Sequence, residues 1–377
     1  MKFSFGFRHF LQLASFGLQK FYDLKNKLGF NHSVFKRVVV FSNIEIGNFI
    51  VNLPVLESVC AKSQETLIIA PSYMREFSPD KASVITIPNG LGDKLRLLFK
   101  IIFFNPDHLI LFEANSLGVA SSIPLIFSSD RIDFDSIFLK EMWFNGKIKP
   151  VHLTEYNLNA IIQFGFNSVN PVPEVKVGRE DFLKAEKILA SFGVKGRFFV
   201  LFPGSSDEKT RWRVENFAKT GDSLARKFSW TPVIVQGPDD AASASLVAGL
   251  MKFKPVILPL IPLNILAGVF KKAGFYIGMD TGPAHLAAAV GCPTVSVFTR
   301  GCPYWYYPYT WKGAAVYVKA YVSENSRRVN SEALRGAPAS FDVITPSCVV
   351  KAVARAVSGR KKAGRVPFNG FECNSKQ

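Results

Sequence analysis

The sequence predicts an α/β chain of two Rossmann-like domains facing a cleft, and three observations carry that expectation. Short β-branched runs alternate with amphipathic helical patterns along most of the chain, as parallel sheets with helical crossovers require. A Pro-rich junction, Asn170–Lys176 (NPVPEVK), divides the alternation into two series. Four turns rich in Gly and polar residues sit between strand and helix patterns, where open α/β sheets bind ligands. A length of 377 residues suits two such domains.

Taken in order, residues 1–35 form a basic amphipathic segment. Phe3, Phe7, Phe10, Ala14, Leu18, Phe21, Leu24 and Leu28 recur at helical spacing, with Lys2, Arg8, Lys20, Lys25 and Lys27 among them. That pattern fits a helix lying on anionic lipid and, nearly as well, a helix packed on its own domain. Its apolar run is short and broken by Gln12, Gln19 and Lys20, unlike a secretory signal. Residues 36–175 form the expected first domain. Arg37–Ser42 (RVVVFS) reads as a buried parallel strand, followed by a loop to Gly47 and a helix to about Lys62 that tolerates Pro54. Thr66–Ala70 and His108–Phe112 are strands and Leu91–Phe104 a helix; residues 130–149 are irregular and Leu153–Phe164 helical.

Residues 176–343 form the expected second domain. Its strands are Phe198–Phe202, Pro232–Gln236, Val256–Leu258, Phe275–Ile277 and Thr294–Phe298. Its helices are Glu180–Ser191, Val214–Phe228, Ala241–Met251, Leu263–Ala273 and Ala284–Val290. Within 344–358, the helical run Pro346–Val357 is long enough to cross back to the first domain. Residues 359–377, with Arg360, Lys361, Lys362 and Arg365, read as a disordered basic tail.

A hydrophobic content of 48% with 20% charged residues is that of a globular chain. The longest apolar stretches, Val256–Phe270 and Ala284–Phe298, are interrupted, so no membrane span is expected. The five cysteines are scattered with no CxxC spacing, against a zinc site, a redox pair or a secreted disulfide scaffold, and in favour of a reducing cytoplasm. A net charge of +17 calls for an anionic partner: nucleic acid, a membrane surface or a phosphorylated substrate. Neither a zinc finger nor an RNP-like string occurs, so nucleic acid is disfavoured.

The first of the four turns is Pro203-Gly204-Ser205-Ser206, after the strand FFVLF. Gly admits close backbone approach and two hydroxyls offer donors, which suits a phosphate; Lys209, Thr210 and Arg211 follow, offering further cations. The second, Gly237-Pro238-Asp239-Asp240, offers Asp240 as an acceptor for a ribose or base, or as a helix cap. The third, Asp280-Thr281-Gly282-Pro283-Ala284-His285, opens an apolar helix whose N-terminal N–H groups and dipole attract phosphate. Asp280 would orient that loop, and His285 would donate to a phosphate or leaving group, or be structural. The fourth, Glu45-Ile46-Gly47-Asn48, ends the first strand. Asp133-Phe134-Asp135 spells a metal-binding D-x-D, but lies away from every phosphate-type turn, so no metal site is expected.

Together these turns resemble glycosyltransferase family 9, the heptosyltransferase family of lipopolysaccharide core assembly. GMDTGPAHLAAAVGCPTVSVF (Gly278–Phe298) is similar to the family's D-T-G-x-x-H-L-A-A-A-x-G-x-P-T stretch. Val200–Leu224 resembles its P-G-(A/S)-S…R-W-P…F segment and VIVQGPDD (Val233–Asp240) its G-G-P-x-(D/E) turn. Arg37–Val59 looks like its opening strand and helix, and ILFEANS (Ile110–Ser116) like its I-D-x-Q-G strand end. The likeness spans about residues 36–357 and is specific from about 198 to 298.

The resemblance implies a GT-B fold, a nucleotide-diphosphate sugar donor (ADP-heptose in the best-known members), a lipid-linked or core-oligosaccharide acceptor, and inversion without a required metal. No cofactor is implied. Ser205, Ser206, Thr281 and Gly282 would bind the diphosphate, Asp240 the ribose or adenine side, and Asp280 and His285 would shape the donor loop. Two positions depart from the pattern. The family's general base is an Asp directly after the loop Gly; here that residue is Asn48, which cannot take a proton. Glu45 is the nearest substitute, with Glu113, on the acceptor side like Gly47, the weaker candidate. The family's Lys two residues before the Trp is Thr210 here, flanked by Lys209 and Arg211. The expectation is a glycosyltransferase on the inner face of the bacterial cytoplasmic membrane, drawn to its anionic surface. The alternative is a catalytically impaired nucleotide-sugar or glycan-binding protein of the same fold. A nucleotide-sugar epimerase fits the D-T-G-x-x-H stretch less well.

Overall fold

The computed structural model describes residues 35–42, 45–87, 91–112, 130–133, 151–205, 211–299, 303–317, 343–358 and 370–373. The N-terminal segment read as a basic helix lies outside the described residues. By packing, the chain divides into two compact units. The first comprises residues 1–45, 52–148 and 156–171, and the second residues 46–51, 149–155 and 172–377.

The first unit is built on a five-stranded parallel sheet in the order β3-β2-β1-β4-β5. Its strands are β1 (Arg37–Phe41), β2 (Glu65–Ala70), β3 (Ala82–Thr86), β4 (His108–Leu111) and β5 (Asp130–Asp133). β1 is the central strand, with Val38 opposite both Thr66 and His108, and its VVVF run is buried on both faces as a central parallel strand requires. Val39, Phe41, Leu67, Ile69, Leu109 and Leu111 line one face and meet Leu97 and Ile101 of the covering helix. The chain runs outward from β1 to β3, then returns to β4, so its direction of winding switches between β1 and β4. The single helix expected up to Lys62 is two helices, α1 (Ile46–Val51) and α2 (Leu53–Lys62), parted at Asn52. Pro54 explains the break, because its nitrogen cannot donate and is tolerated only in a first turn. Helix α3 (Leu91–Phe104) covers the sheet, and α4 (Leu153–Gln163) follows later in the chain.

The second unit carries a seven-stranded parallel sheet, β12-β11-β10-β9-β6-β7-β8. In chain order its elements are α5 (Arg179–Ser191), β6 (Phe198–Phe202), α6 (Val214–Phe228), β7 (Thr231–Ile234), α7 (Ala241–Leu250), β8 (Val256–Ile257) and α8 (Leu263–Lys272). There follow β9 (Tyr276–Met279), α9 (Gly282–Ala289), β10 (Thr294–Phe298), the single turn α10 (Pro303–Tyr306), β11 (Gly313–Tyr317), α11 (Pro346–Ser358) and β12 (Gly370–Glu372). The all-apolar β6 is buried along its whole length. From it the chain steps to β7 and β8 on one side, then returns to β9 on the other. The winding therefore reverses between β6 and β9, the point in such sheets where a crevice opens beyond the strand ends. α8 packs closely on α5 because Gly268 leaves space: a Cβ there would lie 2.8 Å from that of Ala185.

Two expectations for the C-terminal end are corrected. α11, read as crossing back to the first domain, packs on α6, β10 and β11 of its own unit, burying Val349, Ala352, Val353 and Ala356 in that core. The tail read as disordered contains β12, whose Gly370, Phe371 and Glu372 extend the sheet beside β11. Its backbone pairing continues at Cys373, whose N–H donates to the Tyr317 carbonyl at 2.8 Å. Such strands rely on backbone pairing at a sheet edge more than on apolar patterning.

Candidate functional site

Residue Thr281 caps the start of α9 in an extended conformation, and no side chain caps the helix. Its hydroxyl donates to the Met279 carbonyl over a long 3.4 Å, a weak bond that a better acceptor would displace. Asp280, Thr281, Gly282 and Pro283 are half-buried, whereas Ala284–Ala289 are buried. The helix is thus sunk in the unit with only its N-terminus towards solvent. His285, in the first turn, is buried, and its Nε2 lies 3.8 Å from an Asp280 carboxylate oxygen.

The start of α1 comes against the same end of α9. A Cβ at Gly47 would lie 3.1 Å from His285 Cδ2 and 3.3 Å from Gly282 Cα. One at Gly282 would lie only 2.2 Å from Ile46 Cγ2. Glycine at both positions is what lets these two helix N-termini meet. Asn48, half-buried, follows immediately and shares this unit with the Thr281 loop.

Beyond β6 and β7, Asp240 joins three backbone segments. Its Oδ2 accepts the Gly237 N–H at 3.1 Å, and its Oδ1 stands 3.7 Å from the Arg211 guanidinium. Arg211 in turn donates to the Ser205 carbonyl at 3.2 Å. A Cβ at Gly204 would fall 2.1 Å from Asp240 Oδ2, so the carboxylate fills the space that glycine vacates. Asp240 is 8% exposed and faces protein, in keeping with the structural alternative of a turn or helix-cap residue that stood beside the ribose or base reading. Arg211 stands beside Ser205.

One residue of this region escaped the sequence reading. Along β9 the side chains alternate, with Ile277 and Met279 in the main core and Tyr276 and Gly278 on the other face. The Tyr276 hydroxyl occupies the space of a residue-278 side chain, 2.2 Å from where a Cβ would stand. Tyr276 is 0% exposed and, among the described residues, its hydroxyl has no hydrogen bond of acceptable geometry. Burial drives its pKa well above the ordinary phenol value; the neighbouring Thr281 hydroxyl opposes this, and Asp240 and Asp280 add to it. A tyrosine two residues before a glycine in a strand was the available signal.

Glu45 is exposed and counts with the first unit, near Tyr73, whose pKa is raised by burial first and then by the Glu45 charge. Ser206, Lys209, Thr210 and Glu113 lie outside the described residues, as does Asp135 of the D-x-D. Among the described residues, no group of three or more His, Cys, Asp or Glu is placed to hold a metal, and no helix is long and apolar enough to cross a membrane.

Residues 150–334 match the family model described as glycosyltransferase family 9 (heptosyltransferase). Lipopolysaccharide heptosyltransferase 3 of Escherichia coli (strain K12) is 26% identical over 166 residues, which are 43% of this chain and 48% of that protein. A second lipopolysaccharide heptosyltransferase 3 from Escherichia coli is 25% identical over 211 residues, 53% of this chain and 62% of that protein. The chain thus spans about half to three fifths of the length of the curated relatives it matches. Among solved structures, a glycosyl transferase family 9 protein from Veillonella parvula DSM 2008 superposes with a TM-score of 0.71 at 19% identity, covering 86% of this chain and 98% of that one. The E. coli ADP-heptose lps heptosyltransferase II gives a TM-score of 0.62 at 14% identity, covering 85% and 98%. At those identities the structures speak for the fold, GT-B with two Rossmann-like units. The match over residues 150–334, which hold the Pro203–Ser205, Gly237–Asp240 and Asp280–His285 turns, is to glycosyltransferase family 9, the heptosyltransferase family.

Proposed function

We propose that the protein is an inverting glycosyltransferase, moving a sugar such as heptose from a nucleotide-diphosphate donor to a lipopolysaccharide-core or other glycan acceptor. The observation that carries this reading is the pairing of the Ser205 turn with the uncapped start of α9 at the ends of adjacent strands, where the sheet reverses its winding. In this reading the diphosphate lies on the α9 N-terminus, with Thr281 and the Gly282 backbone donating to its oxygens. Ser205 and Ser206 serve as further donors to it, and Arg211 supplies positive charge from beside Ser205. These groups are set before the reaction and act most strongly as negative charge builds on the departing diphosphate, which favours the transition state over the bound donor. His285 and Asp280 shape the loop or assist the leaving group. Asp240 supports the donor site through Arg211 and Gly237, and meets the nucleoside only by turning from them.

The acceptor hydroxyl needs a base, and Asn48 is an amide. Glu45 takes that part in this reading, with Glu113 second, and Gly47 lines the acceptor side. The protein works at the anionic inner face of the bacterial cytoplasmic membrane, with its residues 1–35 as one contact. A second reading, a donor- or glycan-binding protein without turnover, draws on Asn48 alone. Donor turnover with a panel of core-oligosaccharide acceptors, measured for the wild type, Glu45→Gln and Asn48→Asp, separates the two. Loss on Glu45→Gln with donor affinity intact supports the enzyme with a displaced base. A silent wild type that gains turnover with Asn48→Asp supports the binding protein.

A further inference from the structure

We propose that the outer face of α3 is a docking surface for an anionic lipid bilayer. The helix, LGDKLRLLFKIIFF, turns Leu97 and Ile101 into the core beneath it. Arg96, Phe99, Lys100 and Phe103 fall at i, i+3, i+4 and i+7 and share the opposite stripe, all exposed. Phe99 is 57% exposed and Phe103, one turn on, 84% exposed. Two phenylalanines held largely outside the core in consecutive turns each gain by entering an apolar medium. Arginine and lysine stand beside them, the arrangement by which interfacial helices sink aromatic rings below the headgroups and leave cations among the phosphates.

Charge decides which occupant this face takes. The chain carries +17, so a second copy would bring Arg96 and Lys100 towards their own equivalents across a two-fold contact. Asp93 lies 3.2 Å from Arg96 and offsets only part of that. An anionic bilayer complements both cations and accepts both rings. The docking rests on the membrane-surface part of the proposed function and is independent of its chemistry. It adds a second contact, on residues whose exposure is described, to the one assigned to residues 1–35.

The test uses the full chain and two vesicle types, phosphatidylcholine alone and phosphatidylcholine with phosphatidylglycerol. Wild type is expected to partition to the phosphatidylglycerol vesicles, and Phe99→Ser/Phe103→Ser to partition on the order of tenfold more weakly. Arg96→Gln/Lys100→Gln is expected to lose much of the salt-sensitive part of binding. Because both rings are outside the core, the thermal transition of Phe99→Ser/Phe103→Ser should match that of wild type. In Phe103→Trp, acyl-chain-brominated lipid should quench more emission than in wild type, placing position 103 at the hydrocarbon. Equal partition of Phe99→Ser/Phe103→Ser and wild type, or no added quenching at 103, overturns the docking while the membrane reading stands. A wild type that ignores both vesicle types overturns the docking and the membrane reading together. A wild-type dimer in light scattering that Phe103→Ser makes monomeric, with vesicle binding unchanged, makes this face an interface between copies and also overturns the docking.

Discussion

Replacing Tyr276 with Phe should make the protein more stable. The substitution removes one oxygen and leaves the ring in place, edge-on to Phe270 at 5.3 Å between ring centres and over Gly278. That oxygen is wholly buried and lacks a well-formed hydrogen bond among the described residues, while the unfolded chain would hydrate it fully. A buried hydroxyl left unsatisfied costs roughly 1–3 kcal/mol. The adjacent Thr281 hydroxyl recovers part of this by simple proximity, so the expected gain is about 1 kcal/mol. The assay is urea unfolding followed by a probe in the second unit, since a two-unit chain need not unfold in one step. With a slope near 1–3 kcal/mol per molar, the midpoint should rise by roughly 0.3–1 M at constant slope. A midpoint lowered by a similar amount would refute the reasoning, because the hydroxyl must then be making a favourable bond to Thr281 or to an ordered water. Gly278→Ala supplies the opposite sign. Its methyl group would stand 2.2 Å from the Tyr276 oxygen, an overpacking that costs about 1–3 kcal/mol.

Three further outcomes are expected. Gly282→Ala puts a methyl group 2.2 Å from Ile46 Cγ2 and should destabilise by about 1–3 kcal/mol in thermal or urea unfolding; adding Ile46→Ala should restore stability. Thr281→Val removes one hydroxyl donor and, on the diphosphate reading, should weaken nucleoside-diphosphate binding by about 1.5–3 kcal/mol in calorimetry; unchanged affinity would remove Thr281 from the site. Arg211→Gln leaves the largely buried Asp240 carboxylate without its guanidinium and should cost about 2–3 kcal/mol, less for Arg211→Gln/Asp240→Asn, as a double-mutant cycle in urea would show.

Most of the second unit was legible because its signals are local. A five-residue apolar run such as Phe198–Phe202 has few options besides a central parallel strand, and a glycine-rich turn after it marks the strand's end. The start of α9 was readable from Thr281, Gly282 and Pro283 for the same reason. Elements held by pairing rather than by pattern were missed. β3 is half-exposed ASVIT, β11 is GAAVY with two alanines, and β12 has three residues, so none carries a strong alternation. The destination of α11 was misread because an apolar stripe says that a helix is buried but not against what. At the site, residue types were readable while their partners were not. Asp240 read equally as a ligand-facing carboxylate or a cap within its own Gly237 turn, and only three-dimensional proximity joins it to Arg211 and Gly204.

The line between the two units falls between Glu45 and Ile46, so the two base candidates count with different units. Asn48 belongs with the Thr281 loop, because Gly47 and Gly282 let α1 rest directly on α9. Glu45 belongs with the sheet of the first unit and the neighbourhood of Tyr73. A carboxylate introduced by Asn48→Asp would therefore be held in the same unit as the Thr281 loop, where the diphosphate lies on the proposed reading. If Glu45 is the base, Glu45→Gln should abolish turnover with donor affinity intact, while Asn48→Asp should be tolerated or raise it. A positioned base is worth roughly 10²–10⁴-fold in rate, so either contribution stands well clear of assay error. A fully active Glu45→Gln, with no gain from Asn48→Asp, would leave neither residue in the role and direct attention to Glu113.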